Sequence, residues 1–358
     1  MSPEVATSRS TVAPMTGQDR LLAAARRQAV DATPIWFMRQ AGGSLPRYLT
    51  LRERYSVEGI ARTPELCAEV SLMPVEAYGV DGAVMFADIM LPVAAMGVDL
   101  ELTSAGPVIA SPVRSAADVE RLRPLDPEAD LGFMLEAIGI VRSALADRAA
   151  LIGIAGGPFT LACYLIEGGP SRDQALAKAF MYREPAAWTA LMDRLTDALC
   201  VYVAAQIRAG AQLIQVFDSW AGTLGPADYV RFAQPYAARV LAAGREVPTI
   251  HFGVGTAGIL DQLAVAGGEV IGIDARQSLS EAWARVGPDR AIQGNLEPAR
   301  LLAGWTAVEE GTRAVLAEVA GRPGHIFNLG HAAPRETDPG LLRELVSFVH
   351  EITRREAS

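Results

Sequence analysis

The chain is poor in cysteine. Cys67, Cys163 and Cys200 stand far apart with no CxxC pair, which argues for a reducing compartment and against a structural zinc. It has no apolar stretch long enough to span a membrane. The first 17 residues are rich in Ser, Thr and Pro and lack the apolar centre of a signal peptide. Nor is there an excess of positive charge. The formal net charge is −9, which argues against a general nucleic-acid binder or a cationic membrane binder. If the ligand is anionic, arginines must gather locally against an unfavourable overall field. These absences leave the expectation of a soluble cytoplasmic protein, with residues 1–17 as a disordered tail and 18–358 as one domain.

What the chain does have is apolar mass. Half of its 358 residues are hydrophobic, and that length is normal for a single large α/β barrel. Short apolar runs recur at 34–37, 83–87, 151–155, 213–217, 249–252, 270–273, 291–294 and 326–330, each ending in a polar or glycine-rich cluster. Helix-like stretches lie between them, such as 64–79 and 226–244, and 157–212 reads as added helices. Strands with little alternation are buried on both faces, as in a parallel sheet covered by helices. Eight of them alternating with helices predict a (β/α)8 TIM barrel with extra helices, whose site lies at the C-terminal ends of the strands.

Several residues stand at those strand ends. "MRQAGGSLPRY" puts Arg39, Gly42, Gly43 and Arg47 into one loop after the first run. Arg39 either bonds loop carbonyls or binds an anion, for which the glycines allow a close backbone approach. Asp88, in "MFADIMLP", is a carboxylate in apolar surroundings and needs partners or a proton. It is either a cap or buried ion pair, or an acceptor for ligand N–H groups. Tyr164 is either a core tyrosine or a site hydroxyl, and Cys163 beside it reads as core, with no base near it in sequence. His331, in "NLGHAAP", ends the last run and points to ligand contact. "GVGTAG" at 253–258, with Asp274 downstream, matches a dinucleotide fingerprint. That motif belongs at the first strand of its unit, and here it follows the fifth, so a tight turn is the better reading.

Taken in order, "PIWFMRQAG", "FADI", "GGPFTLACYLIEGG", "FDSWAG", "QGNLEP" and "FNLGH…ETDP" resemble the uroporphyrinogen decarboxylase family over nearly the whole chain. The resemblance implies a cofactor-independent (β/α)8 barrel, with no metal, that acts as a homodimer. It implies conversion of the four acetates of uroporphyrinogen III to methyls, giving coproporphyrinogen III in haem biosynthesis. It also implies Arg39, Asp88 and Tyr164 as catalytic residues, and Arg39, Gln40, Asp88, Tyr164, Ser219 and His331 as substrate contacts.

The chain departs from the family pattern in its loops. Gly43 stands where a second arginine is expected, Arg47 where an acid is common, Ala275 where tryptophan is usual, and "HAAPRE" follows the last run. These changes leave two further readings: an impaired or non-catalytic porphyrinogen-binding member, or Arg47 and Arg335 taking over the missing contact. A corrinoid-type methyltransferase on the same barrel is the remaining alternative. It lacks its ligands here, since Phe252 and Gly253 follow His251.

Overall fold

The computed structural model describes residues 13–41, 45–103 and 106–355. Among these, nine strands form: β1 (Gly82–Val84), β2 (Leu100–Thr103), β3 (Gly106–Ile109), β4 (Ala150–Gly156), β5 (Leu213–Phe217), β6 (Thr249–Phe252), β7 (Val270–Gly272), β8 (Ala291–Gln293) and β9 (His325–Ile326). Seven make one parallel sheet in the order β1-β4-β5-β6-β7-β8-β9. All seven residues of β4 are buried, as are all of β6, β7 and β8. Helices cover the outer face and side chains fill the inner one, so neither face needs a polar residue.

The first apolar run does not form a ladder. It makes one parallel bridge, Ile35 to Phe327 beyond β9, with Phe327 N–H donating to Pro34 O at 2.8 Å. On its other side Asp81 N–H donates to Ile35 O at 2.8 Å, and the Asp81 carboxylate accepts from Ile35 N–H at 2.8 Å. The segment thus lies between β9 and β1 without regular pairing. A proline at its start withholds one N–H, and a side chain satisfies another. Asp81 is 1 % exposed. Its carboxylate also meets Arg20 of the helix Gly17–Ala25 at 2.6 Å and His350 of the helix Pro339–Thr353 at 2.7 Å.

Helix boundaries follow local chemistry. Thr16 caps Gly17–Ala25 by accepting from Asp19 N–H, and Met15 N–H donates to Asp31. Ordered structure therefore begins before residue 18, while residues 1–12 of the expected tail lie outside the described residues. Pro64, Pro158, Pro185, Pro226 and Pro339 open helices in the first turn, where a missing N–H costs nothing. The stretch 226–244 divides into Pro226–Phe232 and Gln234–Ala243, because Pro235 cannot continue the hydrogen-bond ladder. Pro339–Thr353 buries Leu341, Leu342, Leu345, Val346 and Val349, one helical stripe. The expected added helices are Pro158–Glu167, Ala175–Arg183 and Pro185–Ala209. Unanticipated is the antiparallel pair β2–β3, which docks through Ile109 N–H on Gly168 O at the end of Pro158–Glu167.

Candidate active site

Arg39 follows the 34–37 segment directly. Its backbone is left-handed, with φ at 56°, a conformation that costs an L-residue roughly 1–2 kcal/mol. Its side chain is exposed at the strand ends. Gln40 beside it turns inward and is 1 % exposed. Its amide accepts from Phe37 N–H at 3.0 Å and donates to Gly82 O at 2.9 Å. Gln40 therefore ties the Arg39 loop to β1, with its side-chain oxygen and nitrogen both spent on backbone.

Asp88 lies four residues beyond β1. One carboxylate oxygen accepts from Met90 N–H at 2.8 Å, which closes a local turn ahead of the helix Leu91–Ala95 without capping it. Burial pushes its pKa up; the Met90 N–H and the nearby Arg39 charge pull the other way. Tyr164, on the helix after β4, is half-buried. Its pKa is raised by burial and by Asp88 and lowered by Arg39. The charge of Arg39 thus reaches both Asp88 and Tyr164, and that of Asp88 reaches Tyr164, although the three follow three different parts of the sheet.

Tyr164 has a floor. Its ring lies 4.1 Å from that of Trp220, tilted by 31°. Trp220 N–H donates to the Thr160 hydroxyl at 3.2 Å, and Thr160 donates to a carboxylate oxygen of Asp218 at 3.0 Å. Asp218 is fully buried. A Cβ on Gly157 would stand 2.4 Å from its carboxylate, so only glycine lets β4 end here. Ser219, half-buried, is carried between Asp218 and Trp220. Thr160 and Trp220 are the residues that sequence reasoning missed. The signal was present in "GGPFT" and "FDSW", where polar groups fall inside buried runs.

His331 follows the 325–330 segment and is exposed. Its pKa is lowered by partial burial, then by the Arg39 charge; Asp274 and Glu297 oppose this and Arg276 adds to it. Asp274 is 3 % exposed. It accepts from Gly255 N–H at 2.6 Å, Arg276 N–H at 3.1 Å and Arg276 Nε at 2.9 Å. Gly255 has φ at 70°, which the "GVGTAG" turn needs for its N–H to face Asp274. The acid that imitated a ribose ligand in sequence is occupied by the loop itself.

Arg47 does not join this group. It pairs with Glu69 at 2.8 Å and Glu76 at 3.1 Å, both on the helix Pro64–Tyr78. Arg335 acts electrostatically on Tyr48. Gly42 and Gly43, with the question of a lost arginine, lie outside the described residues. Cys163 is fully buried and its thiol is pushed well up by burial and then by Asp218, a core cysteine rather than a nucleophile. Among the described residues no three His, Cys, Asp or Glu side chains converge as a metal site would require. No helix is long and apolar enough to cross a membrane.

Shape alone gives the class. The chain superimposes on a methyltransferase from Methanosarcina mazei with a TM-score of 0.77 at 21 % identity, over 94 % of this chain and 99 % of that one. It matches a B12-independent methionine synthase from Shewanella sp. W3-18-1 with a TM-score of 0.56 at 12 % identity, over 83 % and 88 %. The fold is that of curled parallel-sheet α/β proteins. Sequence then narrows it: residues 16–352 match the family model of uroporphyrinogen decarboxylase, and the chain belongs to that family. Relatives of that name include one from Roseiflexus sp., 50 % identical over 340 residues, covering 93 % of this chain and 98 % of that protein. Another, from Streptomyces coelicolor, is 50 % identical over 343 residues, covering 95 % and 96 %.

Proposed function

We propose that this chain decarboxylates the four acetate side chains of uroporphyrinogen III to give coproporphyrinogen III, with no metal or organic cofactor. The observation that carries the reading is that the chain is half identical, over nearly its whole length, to proteins of that name, with Arg39, Asp88, Tyr164 and His331 all placed just beyond strands or strand-like segments of one parallel sheet.

The chemistry needs a fixed anion. A pyrrole acetate cannot lose carbon dioxide directly, because the electron pair has nowhere to go. Protonation of the ring carbon makes a cationic imine that accepts the pair as the carbon–carbon bond breaks. A second proton then lands on the methylene, and the ring proton leaves. Each acetate takes up one proton net and releases one carbon dioxide. The pyrrole supplies the electron sink that a cofactor provides elsewhere.

Asp88 suits this step. Its carboxylate is desolvated by burial, hence its raised pKa. A pyrrole N–H that becomes cationic satisfies it more fully than the neutral ground state does, so the interaction strengthens in the transition state. The carboxylate oxygen not held by Met90 is the one offered to the pyrrole N–H groups. Arg39 pairs a substrate carboxylate, for which its planar fork is suited. Arginine is a poor general acid because its pKa is so high, which makes orientation its task. Tyr164 and Ser219 hydrogen-bond the carboxylate or Asp88, and His331 accepts a substrate carboxylate as its partner. Gln40, expected as a substrate contact, is better read as a brace for Arg39.

The same reading carries the closed (β/α)8 barrel, with the 34–37 segment in the place of a first strand, and a cytoplasmic homodimer. The test is turnover of uroporphyrinogen III under anaerobic, reducing, light-protected conditions with a chelator present. Coproporphyrinogen III and carbon dioxide in the ratio of one to four are expected. Binding without turnover makes the chain a porphyrinogen-binding member, and turnover that the chelator abolishes and zinc restores refutes the cofactor-independent mechanism.

A further inference from the structure

We propose that Arg276 binds a peripheral carboxylate of the substrate on the rim opposite Asp88; this rests on the decarboxylase reading above. The argument begins with position. Around the mouth the order is the 34–37 segment, β1, β4, β5, β6, β7, β8 and β9, and the segment is hydrogen-bonded to both neighbours. The loop after β7 therefore stands across the ring from the loop after β1. Arg39, Asp88, Tyr164 and His331 occupy one side of that ring. A tetrapyrrole whose N–H groups converge on Asp88 spreads eight carboxylates around its edge, and those facing β7 need a cation there.

Arg276 is held as such a cation would have to be. Asp274 fixes its Nε at 2.9 Å and also bonds Nη2. Asp274 is itself buried and anchored by Gly255 N–H. From beneath, Asn295 donates to Asp274 O at 2.9 Å and to Gln277 O at 2.8 Å, gripping both ends of the loop. A Cβ on Gly255 would lie 3.1 Å from Arg276 Nη2, so the "GVGTAG" turn is a floor cut for the guanidinium. Yet the Arg276 side chain is 63 % exposed. The buried acid grips one edge of the fork, and the Nη1 edge remains directed away from it. Fixing an arginine in this way lowers the entropy lost when it takes a second carboxylate. Its charge also reaches His331, so one anion entering the mouth feels both.

The test compares Arg276→Ala and Arg276→Lys with the parent enzyme on uroporphyrinogen. For Arg276→Ala, KM is expected to rise about 10-fold with kcat within about twofold, the loss of one charge-assisted pair made equally in ground and transition states. Arg276→Lys keeps the charge but not the fork, and should recover part of the loss. A KM within twofold of the parent in Arg276→Ala overturns the proposal. So does a fall in kcat with KM unchanged in either variant, since that marks a brace for the loop. Unfolding of the alanine variant shifts the decision to Arg276→Lys, where a parental KM again refutes it. Failure of the parent to turn over uroporphyrinogen defeats the decarboxylase reading instead, and the two failures are distinguishable.

Discussion

His325 should make the protein acid-labile in a window set by one proton. Its ring is fully enclosed at β9, 2 % exposed. Nε2 lies 2.8 Å from Gly294 O, a carbonyl that can only accept, so Nε2 carries the hydrogen. Nδ1 is buried without a partner among the described residues. A second proton would have to sit on Nδ1 with nothing to receive it, and burial pushes the pKa down from its ordinary 6.5 to about 4. The folded pKa lies below the unfolded one, so the unfolded chain binds the proton more readily. The contribution is present above pH 6.5 and is lost as pH falls toward 4. Its full size is about 3 kcal/mol, at 1.36 kcal/mol per unit, and about 2 kcal/mol of it disappears between pH 7 and pH 5. Urea unfolding at the two pH values measures the loss. Other groups titrate over the same range, so the comparison is with His325→Gln, whose amide can donate to Gly294 O but does not titrate. The variant should lose about 2 kcal/mol less than the parent. Equal losses in the two proteins would show that the Nδ1 proton is not what acid adds.

Replacing the anion at the site should be costly: Asp88→Asn keeps an acceptor for Met90 N–H but removes the charge, and kcat should fall by about 100-fold or more; near-parental turnover in a stopped assay would reassign Asp88 to structure. Arg47→Ala should change kcat/KM by less than about twofold and stability by about 1 kcal/mol or less, because its two ion pairs are solvent-exposed; a large loss of activity would return Arg47 to the substrate. Thr160→Val leaves a buried oxygen of Asp218 and the Trp220 N–H unpaired, and should destabilise by about 1–3 kcal/mol with a shift in tryptophan fluorescence; an unchanged spectrum would sink the view that Thr160 fixes Trp220.

The sheet was legible wherever apolar runs were dense. "LIQVF" and "TIHF" became β5 and β6 with the same limits, because a strand buried on both faces announces itself by hydrophobicity alone. "PIWF" was misjudged as a strand equal to the others. Its apolar character fits its burial, but its pairing is set by Asp81, far away in sequence, and no local pattern shows that. The β2–β3 pair escaped notice since its residues are largely half-exposed and carry no strong period. Of the residues proposed for the site, Arg39, Asp88 and His331 stand out in the sequence as polar residues just beyond apolar runs. Gln40 was just as visible, but which way a side chain turns depends on the carbonyl waiting for it on β1. Arg47 shows the same limit. Its place next to a glycine-rich loop suggested the substrate, and in the structure it pairs with Glu69 and Glu76 of a neighbouring helix, partners that no local pattern shows.

Asp81 gives the molecule a sense of time as well as of space. The carboxylate joins residues from the first helix, from the 34–37 segment and from the helix Pro339–Thr353. The seam that it helps to close separates the Arg39 loop from the segment leading to His331. A ribosome makes these parts at opposite ends of its work, and a nascent chain folds from its N-terminal side as it emerges. Until the helix carrying His350 is free, Asp81 lacks one partner and the seam lacks one of its ties. A product that stops before that helix would thus carry the Arg39 loop and His331 but lack the His350 contact that helps to tie the two sides of the seam.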